Sequence, residues 1–141
     1  MKRRAERETA LKILYALEIN PSEAYEQIDL YKQNFAEEVT NFSVDIIRIA
    51  MQKKEELDNL IKSRLQNWDF DRVAVIDKIL LRIALTELLF FPDVPAEVTL
   101  NEVIEISKTY STERSGKFIN GILDAILKTD LLNKEEEESK K

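Results

Sequence analysis

The chain has 141 residues, 44% of them hydrophobic, which is enough for one domain with a real core; it has no Cys and no His. That excludes disulfides and thiol chemistry, and it removes the commonest general base and transition-metal ligand, so no catalysis, metal or cofactor is expected. The net charge of −6 argues against diffuse attraction to nucleic acid, but phosphates respond to cations within a Debye length, so local charge decides.

No apolar run approaches the ~18–20 residues of a membrane span. The charged start lacks the apolar stretch of a signal peptide, so a soluble cytoplasmic protein without a membrane partner is expected. Two Gly and three Pro predict long helices joined by short connections.

The first predicted helix runs from Arg3 to Ile19, with Ala10, Leu14 and Leu17 as its core stripe. Its start holds Lys2, Arg3, Arg4, Arg7 and Lys12 against only Glu6 and Glu8. This is either an ordinary solvated terminus or an arm whose forked guanidiniums bind phosphates. Tyr15 falls on the polar side of the wheel, as a contact residue or as part of a second core face. Asn20-Pro21-Ser22-Glu23 reads as cap, first turn and capping partner for a second helix carrying Ala24, Ile28, Tyr31 and Phe35.

A third helical pattern spans about 36–66 and is long enough to hold one break. Asn67 to Asp71 interrupts it, around Trp68, with two Asp caps. The fourth helix, about 72–91, is apolar on two faces and is therefore central. Glu87 lies inside its apolar stripe, so it must be buried with partners, a structural acid rather than a catalytic one. Asp77 and Arg82 sit on opposite flanks, where solvation is the usual role and partner binding the alternative. Pro92 and Pro95 end this helix. The fifth starts either at Pro95 or at the capping box Thr99 to Glu102.

The sixth helix follows Ser111-Thr112 and runs to about Lys128. Both glycines fall in it, at Gly116 and Gly121, each at a cost of ~1 kcal/mol against Ala. On the wheel, Lys117 and Gly121 lie opposite the core, with Phe118 and Asn120 at its edges. A cation, a stacking ring, an amide and a site of close approach fit single-stranded RNA. A helix-start glycine, a tight helix crossing at Gly121 and a core Phe118 are the alternatives. Residues 1–130 thus form one helical domain, and 131–141 a charged tail expected to be disordered.

Several stretches resemble one family. Arg4-Ala5-Glu6-Arg7-Glu8, then Ala10-Leu11 and Leu14-Tyr15, is similar to the N-terminal motif of the NusB family of bacterial transcription antitermination factors. Trp68, Asp77 to Ala84 and Glu87-Leu88 resemble its central helix, and Asp93-Val94-Pro95, Val98 and Asn101-Glu102 its following loop and helix. Lys117 to Asp124 matches its KFVNGVLD segment. The chain departs from the pattern at Ala5, at Leu89-Phe90-Phe91, and at Ser107 and Thr109.

The resemblance implies an all-α fold of two packed three-helix bundles. It implies single-stranded boxA-type RNA as ligand and NusE, a small-subunit ribosomal protein, as partner, with RNA polymerase joined through other Nus factors during ribosomal RNA transcription. It places Arg3, Arg4, Arg7, Arg82, Lys117, Phe118, Asn120 and Gly121 on the RNA side, where Lys2 joins them by its place in the basic start, and Tyr15 and Asp77 on the NusE side. The rival readings are an accessory module of an RNA cytosine methyltransferase system and a self-associating scaffold, a homodimer being the simplest form of the latter.

Overall fold

The computed structural model describes residues 2–20, 26, 28, 29, 33, 39–65 and 69–131, and six α-helices are delimited among these described residues. Helix α1 (Lys2–Ile19) buries Ala10, Leu14 and Leu17 as its period requires, and Leu11 and Ile13 besides. The expected second helix falls largely outside the described residues, as do Trp68 and the tail from 132 onward.

The long third pattern is two helices, α2 (Asn41–Gln52) and α3 (Lys54–Lys62). Thr40 and Ser43 form a reciprocal capping box at the start of α2, with Thr40 N donating to Ser43 Oγ at 2.8 Å. Lys53 marks the break, its N–H returning to Ile49 O at 2.8 Å. A short 3₁₀ turn, Phe70–Arg72, is capped by Asp69, as one of the two proposed Asp caps.

Helix α4 (Val75–Phe90) is the axis of the fold: Asp77 and every residue from Ile79 to Glu87 are buried. It ends before Pro92, as expected. Helix α5 (Ala96–Tyr110) starts directly after Pro95, which settles its boundary against the Thr99 alternative. Thr99 is turned inward instead, its hydroxyl donating to Glu87 at 3.1 Å. Thr112 caps α6 (Glu113–Ile126) by accepting from Ser115 N, and a π turn continues to Leu131.

Helices α4, α5 and α6 pack together as one three-helix half, while α1, α2 and α3 gather against α4 as the described part of the other. The all-α expectation holds among the described residues. One continuous cluster of Ile, Leu, Val and Ala joins the halves, each large side chain contributing ~1.5–3 kcal/mol by burial. No helix among the described residues is long and apolar enough to cross a membrane.

Candidate nucleic-acid interface

The basic start of α1 sorts into three kinds of arginine. Arg7 is 1% exposed and forks onto Glu87, with Nε at 2.8 Å from Oε2 and Nη2 at 2.6 Å from Oε1. The expectation that Arg7 reaches phosphate is corrected: a buried Glu87, 0% exposed, requires a cation, and Arg7 supplies it. Arg4 lies at the surface but is held by Glu102 of α5, at 2.6 and 3.1 Å. That hydrogen bond holds the Glu102 carboxyl below the usual carboxylate range and raises Arg4. Arg3 is exposed, its Cζ 3.8 Å from the centroid of the Phe42 ring. Lys2 opens α1, and its side chain lies outside the described residues.

Arg82 is corrected in the same way. Its Nε and Nη2 fork onto Asp58 of α3 at 2.7 and 3.1 Å, and its Nη1 donates to Glu18 of α1 at 2.6 Å. Burial works against its charge, and Asp58 and Glu18 outweigh that to raise its pKa. Burial likewise pushes Glu18 up, but Lys54 and Arg82 outweigh it and hold it low. This knot ties α1, α3 and α4 and leaves no guanidinium edge turned to a ligand. Asp77 is buried, accepting from Ser115 Oγ at 2.9 Å, which makes it a poor partner-binding residue. Its other oxygen, Oδ1, is buried without a hydrogen-bond partner.

Tyr15 is where its wheel position puts it, 41% exposed, and Ile19 one turn on is 62% exposed. Together they make an apolar pair on the surface of α1.

Helix α6 brings the remaining residues together. Lys117, Asn120 and Gly121 are exposed and Phe118 is half-buried. A Cβ at Gly121 would meet nothing within 4 Å, so a tight helix crossing does not explain that glycine. At Gly116 a Cβ would touch Ser107 Oγ and Ile104 at 3.4 and 3.5 Å, so the α5–α6 contact passes through Gly116 instead. Lys117 and Asn120 line a groove toward α5 with Ile104 and Lys108. Phe118 faces a separate hollow of about 240 Å³ between the starts of α4 and α6.

That hollow adds Arg72, which the sequence pattern did not single out, and Arg114, which opens the candidate segment of α6 but was given no RNA role of its own. Arg72 and Arg114, both exposed, line it with Val73, Ala74, Asp77 and Ser115. The signal for Arg114 was its place three residues before Lys117 on one helix; Arg72 had none beyond its charge. Next to Arg72, Phe70 carries Lys62 and Lys78 at 5.0 and 4.5 Å from its ring centroid. Lys62, Arg72, Lys78, Arg114 and Lys117 thus gather around the α3–α4 turn and the start of α6, interspersed with Asp69, Asp71, Asp77 and Glu113. A ring and two guanidiniums about this hollow, beside the buried Asp77 carboxylate and with Lys117 on the neighbouring groove, can stack a nucleobase and neutralise its phosphates.

The comparisons with known proteins bear on the family and the fold. The transcription antitermination protein NusB of Syntrophus aciditrophicus is 43% identical over 126 residues, covering 88% of this chain and 78% of that protein. That of Carboxydothermus hydrogenoformans is 40% identical over 130 residues, covering 87% and 90%. A solved structure of T. maritima NusB superposes with a TM-score of 0.77 at 37% identity, over 90% of this chain and 91% of that one. A crystal structure of the antitermination factors NusB and NusE in complex with double-stranded RNA gives 0.78 at 25% identity, over 90% and 96%. The NusB family model matches residues 4–128, so the chain belongs to the NusB family.

Proposed function

We propose that the chain is a transcription antitermination factor that binds boxA-type RNA together with NusE and joins the RNA polymerase complex during ribosomal RNA transcription. The observation that carries this is the α6 face of Lys117, Phe118, Asn120 and Gly121, with Arg72 and Arg114 beside it, on a NusB-family chain. The reading is of a binding protein that works by assembly in the cytoplasm, without chemistry of its own. RNA and NusE occupy a composite surface, and each raises the other's effective affinity. Arg3 extends the RNA side at the start of α1, and Tyr15 with Ile19 forms the NusE side.

A titration with a boxA-like 12-mer tests this, against a scrambled strand and against the duplex of each, with and without NusE. Tighter binding of the boxA-like strand, increased by NusE, is the expected result. Equal affinity for the scrambled strand in both arms overturns it, and preference for the duplexes moves the ligand from single-stranded to double-stranded RNA.

A further inference from the structure

We infer that Phe42, on α2, is a positioning residue for RNA: its ring holds Arg3 as the arm's phosphate fork. The inference rests on the RNA-binding reading above and deepens it, since it names what prepares one part of that surface.

The argument begins with how each arginine is held. Arg4 and Arg7 spend two N–H donors each on Glu102 and Glu87. Arg3 is the arginine of the arm with no carboxylate partner among the described residues. Among the described residues the ring is what holds it, through attraction of the cation to the π face. That attraction uses no N–H donor, so the fork that matches a phosphate remains available.

The ring is itself fixed. Phe42 is the second residue of α2, whose start is locked by the Thr40–Ser43 box. Thr40 also donates to Glu6 of α1, so the start of α2 and the arm are joined directly. Phe91, from the end of α4, packs edge-on against Phe42 at 5.4 Å and 63°. Nearby Arg48 does not compete for the role, because it is paired with Asp45 at 2.9 Å. A long side chain that is already ordered loses less rotamer freedom when a phosphate arrives. The platform therefore converts a mobile charge into a placed one.

The test is an RNA titration at several salt concentrations, using the boxA-like 12-mer and the full chain. The variants are Arg3→Ala, Phe42→Leu, Phe42→Tyr and the double variant Arg3→Ala with Phe42→Leu, with thermal melts of each. Phe42→Met, ringless and close in volume, is carried alongside so that a folding defect in one variant does not decide the outcome. Phe42→Leu should weaken binding about three- to tenfold. Its salt slope should stay near that of the unsubstituted chain, because Arg3 still reaches phosphate. Phe42→Tyr should restore affinity, and in the Arg3→Ala background Phe42→Leu should add no further loss. An equal loss in that background, or no loss when the ring is removed, overturns the inference. If the chain binds RNA and Arg3→Ala changes nothing, the inference falls while the RNA-binding reading stands. If the chain binds no RNA, the reading itself falls.

Discussion

Arg7 and Glu87 meet fork to fork in the interior, Nε and Nη2 lying 2.8 and 2.6 Å from the two carboxylate oxygens. The pair joins the first turns of α1 to the last turn of α4, and Thr99 of α5 closes on the same carboxylate. One charge cannot be removed without stranding the other in a dry environment.

Glu87→Gln or Arg7→Met should therefore each cost ~3–5 kcal/mol, while the double change to apolar residues recovers most of the loss. Urea midpoints at constant m read this directly. Arg7→Met, where it remains folded, should leave the salt slope of RNA binding unchanged. A flatter slope would return Arg7 to the phosphate-binding set.

Acid should loosen the ties between helices. Glu102, through its hydrogen bond from Arg4, and Glu18, through Lys54 and Arg82 against the effect of burial, titrate below the usual carboxylate range. Their folded values are depressed, so their stabilisation is present above the unfolded value and is lost as pH falls through the folded one. Melting temperatures from neutral pH downward should drop more steeply for the unsubstituted chain than for Glu18→Gln or Glu102→Gln. Parallel curves would show that neither pair contributes.

The sequence exposed the parts of this fold that repeat locally. The two apolar faces of α4 announced a central helix, and Glu87 within them announced a buried acid. Arg7 was misread: it lies three and seven residues before Ala10 and Leu14 on one stripe, which points inward, but its cationic neighbours placed it on the RNA side. The partners of Arg82 could not be found this way: Asp58 and Glu18 lie 24 and 64 residues off, and no periodicity links them. Length allowed for a break in the third pattern, but its place at Lys53 was silent, because no Gly or Pro marks it and both helices keep the apolar period. The hollow beside Phe118 is a product of packing α6 against α4, so Arg72 becomes its neighbour only in the folded chain.

Tyr15 tests the separation of partner faces. Its exposure means that Tyr15→Ala should leave the melting temperature nearly unchanged. Aromatic anchors at interfaces contribute ~2 kcal/mol or more, so NusE binding should weaken by that order, with RNA binding by the isolated chain intact. Calorimetry with each ligand separates the two. If RNA binding alone fell, the two faces would be reversed.

Gly121 separates fold from function on α6. With nothing within 4 Å of its absent Cβ, Gly121→Ala should stabilise the helix by up to ~1 kcal/mol. If RNA approaches the backbone there, the same variant binds more weakly while melting higher. A rise in melting temperature with unaltered binding would remove Gly121 from the interface.

Phe118 tests the RNA mechanism itself. A protein of net charge −6 binds RNA only through focused cations, so its salt slope should be modest, about −0.7 per phosphate contacted. Replacing Arg3, Arg72, Arg114 or Lys117 should flatten that slope and weaken boxA-like and scrambled strands alike. Phe118→Ala should behave differently, because a ring holds a base and not a phosphate. It should cost ~1–3 kcal/mol of binding at an unchanged slope. It should also narrow the gap between the two strands if the stacked base is read along its edge. The ring is half-buried and packs on the core, so truncation also removes contacts within the protein. Thermal melts and a Phe118→Leu variant, which keeps apolar volume without the aromatic face, divide the two effects. Phe118→Leu should fold nearly as well and still lose affinity for the boxA-like strand. Full binding by a folded Phe118→Leu would assign the ring to the core and move base recognition away from the hollow lined by Arg72 and Arg114.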